Sequence, residues 1–180
     1  EAAVARGARV ILVTGPTALS APPGADVIHV ETADEMYQAV VAKFEIAHVV
    51  IKAAAVADYR PKQRAARKIK KDQAVPEIAL EPTPDILAEI GKRKGARILV
   101  GFAAETDDLV ANARKKLERK HLDLMVANDV GRPGSGFDVD TNLVKILDAM
   151  GGVEDLPLLS KRAVADRILD RVAALLQKKS

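Results

Sequence analysis

The chain of 180 residues contains no cysteine. That excludes disulfides, thiol nucleophiles and thiolate-bound metal, and it suits a cytosolic protein. Tryptophan is absent and aromatic residues make up only 3%, too few for the stacked rings that hold single-stranded nucleic acid. No apolar run nears the roughly 18 residues of a membrane helix. The opening "EAAVARGARVILVTGP" lacks the basic region and small-residue cleavage site of a secretion signal. His29, His48 and His121 are scattered without spaced partners, so they read as ordinary structural or surface residues, not metal ligands. Also missing are a Walker A loop, a G-x-G-x-x-G behind a strand and a G-x-S-x-G nucleophile elbow.

What is present fits one globular domain: 48% of residues are hydrophobic, enough for a sizeable core. Net charge is +3, from 28 basic and 25 acidic residues. Much of the positive charge lies in "RPKQRAARKIKKDQ" (60–73), where the first twelve positions hold seven Arg or Lys and no acid. Without those seven, 21 basic residues face 25 acidic ones, a balance of −4. A nucleic-acid binder spreads basic charge over a face or a helix. One basic segment on a mildly acidic body suits a small anionic ligand better.

Short β-branched runs alternate with helical patterns along the chain. "ARVILVTG" (8–15), "ADVIHVET" (25–32), "AHVVIKAAAVAD" (47–58, a strand running into a small-residue loop), "RILVGFAAET" (97–106, strand to about Ala104) and "LDLMVAND" (122–129) read as strands, the first and third of them buried. Thr32 or Asp34 caps a helix over 33–45 that carries Met36, Val40, Val41 and Phe44 on one face. "PEIALE" (76–81) is a short strand-like stretch. "TPDILAEIGKR" (83–93) opens a helix with Thr83 at the N-cap and Pro84 at the first helical position. "DDLVANARKKLERKH" (107–121) is a basic-ended helix, and "VGRPGSGFDVDT" (130–141) is a Gly-rich loop. A hairpin turns at Gly151-Gly152. A final helix over 161–177 aligns Val164, Ile168, Val172 and Leu175. This alternation predicts an α/β fold: a largely parallel sheet covered on both sides, in three layers, with an antiparallel edge from the C-terminal hairpin. "EAAVARGA" (1–8) reads as the last turns of a helix ending on Gly7. A helix feeding a parallel strand leads one to expect a further strand upstream.

Ligands of open α/β sheets bind beyond the carboxyl ends of the strands. Five features belong there: Gly15-Pro16-Thr17, the loop "AAAVADYR" (53–60), "TPDI" (83–86), "GFAAET" (101–106) and "ANDVGRPGSGF" (127–137). Small residues at Ala54 and Ala55 either admit a planar group to the backbone or serve tight packing. Asp58 either binds a hydroxyl or a metal, or caps a turn. Thr83, Pro84, Asp85 and Ile86 either offer helix N–H groups to an anion or merely cap the helix. Phe102 either stacks on a base or packs in the core. Lys116 and Lys120 lie four apart on one helix face and, on spacing alone, read as solvated surface favoured by the helix dipole.

Taken together, "AAVADYR" (54–60), "KIKK" (68–71), "TPDI", "GFAAET", "KLERKHLDLMVAND" (116–129) and the pattern G-F-x-x-D-x-N (136–142) resemble, in order, the phosphopantothenoylcysteine synthetase domain of bacterial coenzyme A biosynthesis. The resemblance covers nearly the whole chain. It implies a Rossmann-like mixed sheet, a homodimer, and a CTP- and Mg²⁺-dependent ligase joining 4′-phosphopantothenate to L-cysteine through an acyl-cytidylate. It also implies frequent fusion to a flavin-dependent decarboxylase domain, the only part that would carry FMN. By position, Lys68 becomes the flap lysine at the reacting groups. Ala54, Ala55 and Asp58 match the nucleotide site, and Thr83, Pro84, Asp85, Ile86, Phe102, Lys116 and Lys120 match further CTP contacts. The resemblance thus reverses the surface reading of the two helix lysines. It further leads us to expect a single ligase domain over 1–180 that lacks an upstream I-S-N-x-S-S-G-K-M-G segment and does not complete the reaction alone. The competing expectations are a non-catalytic nucleotide-binding or dimerisation module and a dinucleotide-dependent reductase. Neither nucleic acid nor membrane is an expected partner.

Overall fold

A computed structural model describes residues 1–63, 77–105, 108–129 and 139–179. The chain begins with a single helical turn, α1 (Ala2–Ala5), closed by Gly7 at φ +81°. The N–H groups of Gly7 and Ala8 turn back to the carbonyls of Val4 and Ala3, which satisfies the helix end as expected of a Gly-terminated turn. Then follow β1 (Val10–Thr14), β2 (Ala25–His29), α2 (Ala33–Phe44), β3 (Val49–Lys52), β4 (Tyr59–Pro61), β5 (Leu80–Pro82) and α3 (Ile86–Gly91). The second half comprises β6 (Ile98–Glu105), α4 (Leu109–Arg119), β7 (Leu124–Asp129), β8 (Thr141–Asn142), β9 (Val144–Asp148), β10 (Val153–Asp155), β11 (Leu159–Ser160) and α5 (Lys161–Lys179).

The central sheet runs in the order β10-β9-β7-β6-β3. β3, β6 and β7 are parallel, and the β9–β10 hairpin closes one side antiparallel, as the sequence led us to expect. Side-chain alternation divides the core into two layers. Leu99, Ala103, Met125, Ala127 and Leu147 face one side, where they meet Phe44, Leu87, Ile90, Ala113 and Leu117 of the helices α2, α3 and α4. Ile98, Val100, Leu124, Val126, Val144 and Ile146 face the other, where Val164, Ile168 and Val172 of α5 cover them. Each such fully buried aliphatic side chain contributes about 1.5–3 kcal/mol.

β1 and β2 form a separate parallel pair. The expectation that β1 and β3 are buried is corrected: all five residues of β1 and three of the four in β3 are half-buried, and Ile51 is exposed. The physical reason is that, among the described residues, β1 and β3 each have a ladder partner on one side only. A third, smaller cluster ties this pair to the rest, through Val30, Met36 and Ile86 with Val13, Ile28 and Val56 packed around them. Thr32 is the N-cap of α2, its hydroxyl accepting from the Glu35 N–H at 3.2 Å, and the Glu35 carboxylate reaches back to the Glu31 N–H at 2.8 Å. Replacing Thr32 by alanine is expected to cost about 1 kcal/mol, read as a lower urea midpoint at unchanged slope. An unchanged midpoint would show the cap to be immaterial.

Two small antiparallel pairs went unanticipated as strand pairs: β8 with β11, and β4 with β5. The second matters for function, because residues 62–79, with most of the basic segment, run between its two strands. Its root is fixed. The Arg60 guanidinium is ion-paired both to Glu81 across the ladder, at 2.8 Å, and to Asp34 at the start of α2.

Candidate active site at the carboxyl edge of the sheet

β3 ends on Lys52 and delivers the chain into the small-residue loop 53–58. Ala54, Ala55, Val56 and Ala57 line a cleft of about 380 Å³ together with Gly15 and Pro16 after β1 and Glu31 and Thr32 before α2. No side chain larger than valine stands in that loop before Asp58, so the backbone itself forms the wall. Two of the five sequence features, the Gly15-Pro16 turn and the alanine loop, thus meet as expected.

The "TPDI" segment is corrected in detail. Asp85, not Thr83, is the N-cap of α3, accepting from the Ala88 N–H at 3.2 Å. Pro84 biases the residue before it towards extended backbone, and Thr83 instead ties down the alanine loop. Its N–H donates to the Asp58 carbonyl at 2.9 Å and its hydroxyl donates to the Ala57 carbonyl. α3 is six residues long with Asp85 already on its first turn, so this terminus is not an open anion site. Ile86 is buried beside Val30 and Met36, and its side chain belongs to the core. Pro84 is half-buried.

Lys120 follows α4 as its C-cap and points its ammonium at Asp85, 3.0 Å from Oδ1 and 2.9 Å from Oδ2. Burial pushes the Asp85 carboxyl up, but Lys120, the Ala88 N–H and nearby Arg119 outweigh it and hold the group below the usual carboxylate range. Gly91 makes this corner possible: a Cβ there would lie 2.1 Å from the Lys120 carbonyl oxygen. Lys116 is half-buried one turn back on α4. Phe102 packs its ring partly buried against the α5-side core. The β3–β6 register ends at Lys52 with Gly101, so Phe102 is the first residue of β6 beyond the end of β3, alongside the alanine loop. Lys68 and the Gly-rich stretch 130–138 lie outside the described residues.

Two residues were missed by the sequence reading. Arg60, counted as part of a free basic patch, is a structural tie. Lys52 was read only as the end of a strand, yet its Nζ donates to the Ala54 carbonyl at 2.9 Å. Burial and then the charge of Lys120 push the Lys52 ammonium below the ordinary lysine value, with Asp85 and Asp58 acting the other way. The available signal was a lysine closing the apolar run "HVVI" at the carboxyl edge. Among the described residues no three acidic or histidine side chains cluster as a metal site.

A family model described as the DNA/pantothenate metabolism flavoprotein C-terminal domain matches residues 1–176. The chain belongs to this family. The "Coenzyme A biosynthesis bifunctional protein CoaBC" of Bacillus subtilis (strain 168) is 49% identical over 176 residues, covering 97% of this chain and 43% of that protein. A "Cysteine/Cysteine sulfinic acid decarboxylase" from an unknown prokaryotic organism is 43% identical, covering 97% of this chain and 49% of its own length. The chain therefore spans about half the length of the curated relatives it matches. The crystal structure of the C-terminal domain of a CoaBC protein superposes with a TM-score of 0.82 at 41% identity, over 98% of this chain and 79% of that one. The mixed, mostly parallel α/β sheet is thus the fold of this flavoprotein C-terminal domain family. No described helix is long and apolar enough to cross a membrane.

Proposed function

We propose that this domain is a CTP-dependent ligase that joins 4′-phosphopantothenate to L-cysteine in coenzyme A biosynthesis. The supporting observation is the meeting of the alanine loop, Thr83 and the Lys120–Asp85 pair at the sheet's carboxyl edge, in a chain 49% identical to a coenzyme A biosynthesis protein. In this reading the backbone at Ala54, Ala55 and Phe102 faces the pyrimidine and Asp58 takes a ribose hydroxyl. Lys116 and Lys120 face the phosphates, while the segment 83–86 positions them from behind: Asp85 holds Lys120 and Thr83 holds the alanine loop.

The substrate carboxylate attacks the α-phosphorus, the bond to pyrophosphate breaks, and an acyl-cytidylate forms. The cysteine amine then attacks the acyl carbon, CMP leaves, and the new amide nitrogen gives up its proton. The first step brings a carboxylate against a triphosphate. Two unit charges 4 Å apart repel by about 4 kcal/mol at an effective dielectric near 20. Fixed ammonium groups at Lys116 and Lys120, and Lys68 from the basic segment, offset that repulsion and stabilise the departing pyrophosphate. Mg²⁺ would be held mainly by nucleotide phosphates and water in such a site, which fits the described residues, where no three acidic or histidine side chains cluster. The same reading makes the protein a homodimer in which a flavin-dependent decarboxylase domain, if fused, would carry the FMN.

Nucleotide choice tests the reading. Calorimetric titration is expected to show CTP binding more tightly than ATP, because a slot walled by backbone and alanines fits one pyrimidine edge. Equal or tighter binding of ATP would sink it.

A further inference from the structure

We propose that Lys52 is a polyphosphate-binding residue, forming with Lys120 a cationic pair at the end of β3. This rests on the proposed nucleotide site only for the identity of the natural ligand.

Lys52 is the last residue of a parallel strand, where the loop that lines the cleft begins. Its ammonium carries three donors, and the Ala54 carbonyl takes one. Lys120 has its own carboxylate, Asp85, which it engages through both oxygens. Among the described residues, no carboxylate forms an ion pair with Lys52. Asp85 and Asp58 act on it only from a distance. A chain of contacts joins the two: Lys52 bonds the alanine loop at Ala54, Thr83 bonds the same loop at Ala57 and Asp58, and Asp85, two residues on, holds Lys120. With Asp58 and Asp85 as the acids acting on Lys52, both ammoniums thus stand at this edge.

A surface lysine would relax away from such a neighbour, because an exposed side chain has many rotamers and full hydration. Lys52 does not, since its bond to Ala54 fixes it. Burial and Lys120 both disfavour its charge, and Asp85 and Asp58 offset only part of this. An anionic group between the two ammoniums relieves the remainder, and charge-assisted bonds to phosphate are the strong kind. A diphosphate or triphosphate suits the place better than a single carboxylate, because two separate cations need more than one anionic oxygen group.

The competing role is mechanical: Lys52 serves only to hold the alanine loop through Ala54. Two variants separate charge from hydrogen bonding. Lys52→Gln keeps a donor for the Ala54 carbonyl and removes the charge, whereas Lys52→Met removes both. Binding of inorganic tripolyphosphate, CTP and CMP to the full chain would be measured by calorimetry, with thermal unfolding confirming that each variant folds. Both variants are expected to weaken tripolyphosphate and CTP about tenfold, the scale of one charge-assisted bond, while CMP changes less than twofold. The proposal is overturned if wild-type protein does not bind tripolyphosphate, or if both variants bind it as wild type does. It is also overturned if Lys52→Gln restores wild-type binding, or if CMP weakens as much as CTP. Should wild type prefer ATP to CTP while tripolyphosphate still weakens tenfold, the pyrimidine reading falls and the role of Lys52 stands.

Discussion

Gly91→Ala is expected to destabilise the protein by about 3 kcal/mol, the upper range for overpacking a tight core. The added methyl would sit 2.1 Å from the Lys120 carbonyl oxygen and 3.0 Å from its carbonyl carbon. Both are backbone atoms, so no side-chain end can swing aside. Either α3 moves off α4, or the chain at Lys120 shifts. Each movement pulls on the Asp85–Lys120 pair, because Asp85 caps α3 and Lys120 caps α4. Loss of nucleotide affinity should therefore accompany the loss of stability. Gly101→Ala is the informative comparison: its methyl would meet only side-chain ends, of Leu122, Leu87 and Met125. Urea unfolding of both variants checks the expectation. Wild-type stability in Gly91→Ala would show that the two backbones do not lie in contact.

Lys68→Gln is expected to lower turnover about a hundredfold or more, the usual scale for losing one preorganised donor aimed at developing charge. The test is a preparation active with 4′-phosphopantothenate, cysteine, CTP and Mg²⁺. Lys68 belongs to the stretch that runs from β4 to β5, and the root of that stretch is held by Arg60 between Asp34 and Glu81. CTP affinity should fall much less than turnover, since Lys116 and Lys120 do not depend on that arm. Unchanged turnover with collapsed CTP binding would make Lys68 a ground-state contact and contradict its proposed role.

Much of the architecture was legible because it is local and periodic. The alternation through residues 98–103 and 124–127 separates two core faces within a few positions, and Thr32 with Glu35 marks a helix start within one turn. What escaped depends on partners distant in sequence. Tyr59–Pro61 is three residues long and ends in proline, so it carries no strand signal of its own; Leu80–Pro82, paired to it across 19 to 23 positions, completes it. The role of Arg60 rests on acids 26 positions before and 21 after it. At "TPDI", Thr83 and Asp85 are both good caps, and only the Thr83 contacts to residues 57 and 58 decide between them. Strand-end reasoning and family resemblance both pointed to the edge of the sheet where the cleft lies. Lys52 was overlooked because a lysine ending a strand is ordinary until its bond to the Ala54 carbonyl is seen.

The half-buried β1–β2 pair gives the cleft two walls of unequal firmness. One wall continues from β3 into a sheet whose inner residues at β6 and β7 are sealed from water, while the other rests on strands with no fully buried residue. Segments with few sealed contacts open locally at a fraction of the free energy needed to unfold the whole. A ligand that touches both walls must therefore first hold the softer one still, and part of its binding free energy goes into that ordering. Affinity at this edge is then adjustable from outside the cleft. A change that tightens the packing of Val13 and Ile28 against Met36 would strengthen binding while touching no ligand atom, and one that loosens it would weaken binding just as remotely.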